Sequence, residues 1–405
     1  MKISPKIYYP LSLIVNRLIN LVKFIILARI LNEYDMGQVA IILIFLAMME
    51  VITDFGISNA IMILSNTKFQ MYRIELHRFS ILRGLFLSVL SILFYLIASY
   101  LDKSYSAAIY LIACVIPLIR GIYAVPMAVF SRNVELKKIS STNIISSALD
   151  AAICAVGIIV TNDIIFVAIG MISGEIVKIL LSGAKLPIGI LSKISDEAKS
   201  LIREHGSWIW TTNVINLIIN QGDKIFIGAV LGVAPLGAYQ IMSKLAVYVA
   251  YEPLSFISQA MGPIFSKNYR SEASKNKNYP MFIKIISFSF LFSLLTILLF
   301  NLCFDAVVKI SIGDQWLKYK SLAIVLCAVS LVSVLITICG TYLKSIGESK
   351  NLGISTGLQL VIYIFMLPTL YYSAGVIGIA IAGLVAGGAS LMYILFKILS
   401  SSRYS

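Results

Sequence analysis

Two histidines in 405 residues, no HExxH, no paired-aspartate metal motif and no glycine-rich phosphate loop leave metal or hydrolytic chemistry little to be built from. His77 lies in a loop and His205 just before a helix start, so solvation is the simplest reading of both. The five cysteines, Cys114, Cys154, Cys303, Cys327 and Cys339, are odd in number, lack CxxC spacing and sit inside apolar stretches. That excludes a disulfide framework or thiolate metal centre and leaves them as small packing residues. Charge is sparse as well: 13% of residues are charged, where a soluble domain carries about a quarter. No connection between apolar runs exceeds about twenty residues or carries a folded-domain pattern. An enzyme, a metal site and a resident cofactor are therefore not expected.

What is present is apolar length. The chain is 59% hydrophobic with mean hydropathy +0.92, and a bilayer-crossing helix needs about 20 mostly apolar residues. Such runs fall near 10–30, 37–63, 81–101, 105–128, 141–161, 164–183, 206–230, 237–262, 283–303, 320–343, 353–372 and 374–397. The pattern predicts an all-α integral membrane protein of about twelve transmembrane helices. Alternate loops carry the lysines and arginines, beginning with Lys2 and Lys6, then Lys68, Arg73 and Arg78, and ending with Lys397 and Arg403. The opposite set, such as NEYD at 32–35 and GVAP at 232–235, is nearly free of them. By the positive-inside rule both termini are cytoplasmic. The same rule accounts for the net charge of +14 without nucleic acid as a partner. Asn16, Arg17 and Lys23 interrupt the first run and no small-residue cleavage site follows, so the N-terminus reads as an uncleaved first span.

Residues 208–239, WIWTTNVINLIINQGDKIFIGAVLGVAPLGAY, organise the rest. On a helix of 3.6 residues per turn Asn213, Asn216, Asn220 and Asp223 fall within about 80° of one another, making one polar stripe on an otherwise lipid-compatible span. Two hundred positions earlier the plan recurs: Asn16 matches Asn216, Asn20 matches Asn220, Leu31 matches Leu231, Gly37 matches Gly237, and Lys23 stands where Asp223 stands. Two copies of one six-helix lobe follow, 1–185 and 205–405, joined by a charged cytoplasmic linker at 186–204. In the last span Gly383 and Gly387 have small-xxx-small spacing, read as close packing inside the chain before a dimer face.

Charges well inside these spans cost roughly 2.5–3.5 kcal/mol each, so they should face water or a partner. The basic set is Arg17, Lys23, Arg120, Lys178, Lys224 and Lys244; the acidic set is Asp54, Asp150, Glu175, Asp223 and Glu252. Glu175 and Lys178, three residues apart, read as mutually neutralising. Asp150 reads as a satisfied interior acid or inter-helix partner. Lys23 and Asp223 could bond across the two lobes and close one side of a cavity. Asn16, Asn20 and Lys23 share a face with Arg17 beside it, a set that favours an anionic, phosphate-bearing ligand over a cation.

ARILNEYDMGQVAI followed by TDFGISNAIM, PMAVFSRNVELKKIS, and NLIINQGDKIFIGAVLGVAPLGAYQIMSKLA resemble the polysaccharide transporters of the O-antigen flippase type, in the multidrug/oligosaccharidyl-lipid/polysaccharide (MOP) exporter superfamily. The resemblance covers nearly the whole chain. It implies a V-shaped pair of pseudo-symmetric six-helix lobes around a cationic cavity, working by alternating access in the bacterial cytoplasmic membrane. The implied ligand is an undecaprenyl-diphosphate-linked oligosaccharide, with membrane lipids and a polysaccharide polymerase and chain-length regulator as partners. On this footing Arg17, Lys23, Arg120, Lys224 and Lys244 would contact the head group, and Asn16, Asn20, Asn216 and Asn220 the sugars. Asp54, Asp223 and Glu252 would serve proton or sodium coupling or gating. A multidrug exporter of the same superfamily would want an acidic, aromatic cavity, which the embedded basic residues oppose. A membrane polymerase would want a long outer loop, and none is present.

Overall fold

The computed structural model describes residues 5–53, 57, 61, 62, 64–101, 107–187, 189, 190, 192, 194–270 and 278–400. Every regular element among them is helical. In chain order these are α1 Pro5–Ile30, α2 Glu33–Thr53, α3 Asn66–Leu101, the short α4 Ala107–Ala113, α5 Ile116–Arg132, α6 Leu136–Thr161 and α7 Ile165–Ser182. There follow α8 Asp196–Val230, α9 Val233–Ala246, a π-helical turn Val247–Tyr251 and α10 Glu252–Arg270. The chain ends with α11 Asn278–Ser311, a 3-10 turn Asp314–Tyr319, α12 Lys320–Ser345 and the helical run Ser349–Ser400. That last run breaks at Gly375 (φ 60°, ψ −138°), which separates α13 (349–374) from α14 (376–400). Only glycine enters this backbone region at no steric cost, and the turn is tight enough that a Cβ on Gly378 would collide with the Leu370 carbonyl.

Nine helices among the described residues are long and apolar enough to cross a membrane, the run 349–400 among them. Twelve spans were expected, and the difference has physical causes. Residues 349–400 are two spans joined at Gly375. The expected span 206–230 is present within α8, where its polar stripe dilutes the hydropathy. The expected span 237–262 is present too, but its helix is interrupted by the π turn at 247–251. α8 also starts ten residues before that expected span. Ser195 caps it, its Oγ accepting from the Ala198 amide at 3.3 Å, and Asp196 and Glu197 occupy its positive first turn.

The 200-residue repeat holds in the backbone. α1 ends at Ile30 and α8 at Val230; α2 begins at Glu33 and α9 at Val233. The turns differ chemically. Asn32 accepts the Asp35 amide on its side chain at 2.9 Å, whereas Gly232 supplies φ 91°. Gly37 does not start its helix, which opens four residues earlier at Glu33.

Burial is inverted relative to a soluble protein, since large apolar side chains such as Val22, Phe86, Leu291, Phe365 and Phe396 are more than half exposed, as lipid-facing surface requires. The chain divides into two compact units, Met1–Val214 and Ile215–Ser405. In the first, α1 and α7 both pack on α6, and α5 packs on α3. Small residues permit this: a Cβ on Gly157 would run into Phe166 of α7, and Ser146 donates to the Gly174 carbonyl at 2.8 Å. In the second, α12 is the central helix, packed against α9, α10, α11 and the 349–400 run. Its Tyr342 stacks on Phe282 at 4.4 Å and meets Phe265 edge-on at 5.3 Å. Gly383 and Gly387 face Val329 and Val332 of α12, so the small-xxx-small stripe serves packing within the chain, as expected.

Candidate functional site

Each unit holds its own polar cluster in an apolar shell. In the first, Lys23 of α1 donates to both carboxylate oxygens of Asp150 of α6, at 2.7 and 2.8 Å. The two side chains are 14% and 19% exposed, so each charge is compensated where solvation is weak. Room for Asp150 comes from α7, because a Cβ on Gly170 would lie 2.8 Å from its Oδ1 and one on Gly174 3.1 Å from its Cβ. About three turns away α1 bonds to α6 again, Ser12 to Ser140 at 2.7 Å.

A second group in the same unit is larger. Buried Glu175 of α7 accepts from Arg120 Nε at 3.0 Å, Tyr123 Oη at 2.6 Å and Lys178 Nζ at 2.9 Å. Arg120 also pairs with Glu50 of α2 through Nη1. Arg83 of α3 donates to the Glu50 carbonyl at 2.9 Å. Four helices are thus pinned by one network. A small open pocket of about 50 Å³ lies against it, between α2, α3 and α5.

In the second unit Asp223 is held, among the described residues, by neutral donors of its neighbours. Tyr239 Oη donates to Oδ2 at 2.7 Å and the Lys224 amide to Oδ1 at 2.8 Å. Tyr363 of α13 packs against the same turn, 3.2 Å from where a Cβ on Gly222 would sit. Lys224 Nζ reaches Gln221 at 3.3 Å. Exposed Lys244 interacts electrostatically with Lys224 and with Glu252. Glu252 opens α10 immediately after the π turn, and Ser255 donates to its backbone carbonyl at 2.9 Å. Turns of this kind inside helices occur frequently at functional positions. Removing the hydroxyl with Tyr239→Phe should cost about 1.5–3 kcal/mol, the worth of a hydrogen bond to a charged group. Thermal unfolding in detergent measures it; an unchanged melting temperature would show that Asp223 is solvated instead.

Residues 26–321 match the model of a family described as polysaccharide biosynthesis protein. The chain belongs to that family. A protein from Klebsiella pneumoniae described as an uncharacterized membrane protein in the cps region is 23% identical over 390 residues, 93% of this chain and 78% of the relative. Among solved structures, the lipid II flippase MurJ in an inward closed conformation matches with TM-score 0.72 and 16% identity, covering 97% of this chain and 88% of that one. An inward-facing multidrug resistance MATE family transporter of the MOP superfamily matches with TM-score 0.70 and 14% identity, covering 96% of each. The fold of this polysaccharide biosynthesis protein is therefore that of the MOP transporters, and the fold and family expected from the sequence are both found.

The expected site residues divide between the two clusters. Lys23 and Arg120 are not uncompensated cations: the first is neutralised by Asp150 and the second lies between Glu50 and Glu175. Lys23 and Asp223, which could bond across the lobes, each have a partner inside their own unit, Asp150 for one and Tyr239 for the other. Asn20 donates to the Asn16 carbonyl at 2.9 Å, and Asn16 Oδ1 is buried without a hydrogen-bond partner among the described residues. Asn216 and Asn220 are exposed on α8, and Arg17 is half-buried on α1. Asp54 lies outside the described residues. Glu175 and Lys178 neutralise one another as expected, at 2.9 Å. Sequence reasoning missed Glu50 and Tyr123. Tyr123 follows Arg120 by three residues and so shares its helix face, a signal that was there to be read.

Proposed function

We propose that this polysaccharide biosynthesis protein is a flippase for undecaprenyl-diphosphate-linked oligosaccharide, moving it from the cytoplasmic to the outer leaflet of a bacterial cytoplasmic membrane by alternating access. Both termini are cytoplasmic in this reading, and a polymerase and chain-length regulator act on the delivered product. The observation that carries it is the family match over 26–321, on a fold that a lipid II flippase also has. Arg17, Lys224 and Lys244 supply charge to the diphosphate, since guanidinium and ammonium donors form the strong, charge-assisted bonds that phosphate accepts. The exposed amides of Asn216 and Asn220 serve the sugars. Asp223 and Glu252 are the coupling acids, whether the driving ion is a proton or sodium.

The test is transfer of a labelled undecaprenyl-diphosphate oligosaccharide across proteoliposome membranes. Lys224→Ala with Lys244→Ala should slow it roughly tenfold or more, the loss of about 1.5–3 kcal/mol of charge-assisted bonding, with the protein still inserted. Transfer at the unsubstituted rate would remove the two lysines from the head-group site. Movement of a cationic dye and no movement of the lipid would overturn the flippase reading itself.

A further inference from the structure

Two guanidiniums line the pocket beside the first unit's network, and Glu50 bonds to both, to Arg83 through its backbone carbonyl and to Arg120 through its carboxylate. The pocket's polar lining is Glu50, Ser80, Arg83 and Arg120; Leu46 and Leu87 contribute apolar wall. At about 50 Å³, and with one water needing about 10–15 Å³ of such space, it has room for a few waters or one phosphate-sized group and none for a sugar chain.

The charges around Arg120 are unequally replaceable. Glu175 is 7% exposed and accepts three donors, with Lys178 matching its charge even without Arg120. Glu50, by contrast, is half exposed at the pocket and bonds its carboxylate to Arg120 from another helix. If the Glu50 side chain withdraws, the Arg120 guanidinium faces the pocket with Arg83 beside it. A guanidinium fork fits phosphate oxygens as well as carboxylate oxygens.

We propose that Glu50 is an internal counter-ion occupying an anion subsite between Arg83 and Arg120, and that a phosphate group displaces it. The subsite deepens the function proposed above and rests on the reading that the chain handles a diphosphate-bearing lipid. Arg120 then has two states, paired with Glu50 when the subsite is empty and paired with phosphate when it is filled. Glu50 is a positioning and competing residue, and sets how tightly the anion binds.

The experiment uses the full chain in phosphatidylcholine nanodiscs, titrated calorimetrically with inorganic diphosphate, farnesyl diphosphate and farnesol. Glu50→Gln keeps the shape and removes the competing charge, so both diphosphates should bind about tenfold tighter than to the unsubstituted protein, the scale of relieving a like-charge contact. Farnesol should be unaffected. Adding Arg83→Gln to Glu50→Gln should abolish the gain. A gain for farnesyl diphosphate alone supports a lipid head group as the source; a gain for both supports a site that free phosphate enters as well. Equal affinity in Glu50→Gln, or the same gain with farnesol, overturns the proposal. Should Glu50→Gln fail to fold, Glu50→Asp, which retracts the carboxylate by one methylene, should show a smaller gain in the same direction, and no gain there overturns it too. Because binding is read without transport, tighter diphosphate binding in a protein that moves no lipid would sink the flippase reading and leave the subsite standing.

Discussion

Asp150→Ala is expected to destabilise the first unit by about 3–5 kcal/mol, the usual consequence of stripping one partner from a buried ion pair. The loss is large because of what remains. Lys23 is 14% exposed on α1, α7 closes on the pair through Gly170 and Gly174, and an embedded ammonium left without its carboxylate has nowhere cheap to go. In a unit of this size the melting temperature should fall on the order of 10 °C, measured by size exclusion after heating in detergent. Lys23→Met together with Asp150→Asn should recover most of the loss, since removing both charges removes the need for compensation. Failure of the double variant to recover would mean that the pair does more than neutralise itself. Lys23 would then return as a candidate for ligand contact.

Helix placement was legible because apolar length and loop charge report it independently, and the 200-residue repeat was legible because Asn16/Asn216 and Asn20/Asn220 keep their spacing. The charges inside apolar spans could be named for the same reason. Pairing was not legible. Lys23 and Asp150 are 127 residues apart, and one sequence holds no sign of which helix abuts which. The equivalent positions 23 and 223 invited a bond across the repeat, yet both are served locally: Lys23 by α6, Asp223 by Tyr239 and the packed ring of Tyr363. Position 23 thus faces α6 in the first unit, and position 223 lies against α13 in the second. The repeat conserves the place and not the charge. Glu50 was passed over although it lies at the middle of the expected span 37–63; only its contact with Arg120, 70 residues away, gives it a role.

Gly121→Ala should unfold or rearrange the crossing of α3 and α5, and Gly388→Ala should be tolerated with a small gain in stability, although both put one methyl group on a helical glycine. A Cβ on Gly121 would lie 2.6 Å from the Ser80 carbonyl and 3.3 Å from the Gly84 Cα. Both obstacles are backbone, so no rotamer change can relieve them and the helices themselves must separate. Gly84 stands in the reciprocal position, its own Cβ falling 2.6 Å from the Pro117 carbonyl, so Gly84→Ala should behave alike. Overpacking of this kind costs about 1–3 kcal/mol where side chains can yield and more where they cannot. At Gly388 nothing lies within 4 Å, and replacing glycine by alanine in a helix favours the helix by roughly 0.5–1 kcal/mol. Melting of the three single variants separates close backbone approach from mere glycine content. The consequence reaches the pocket, because the Gly84–Gly121 contact sets the distance at which Arg83 and Arg120 face Glu50. A Gly121→Ala protein that melts like the unsubstituted chain would show that the crossing is looser than the geometry requires, and with it the spacing on which the anion subsite depends.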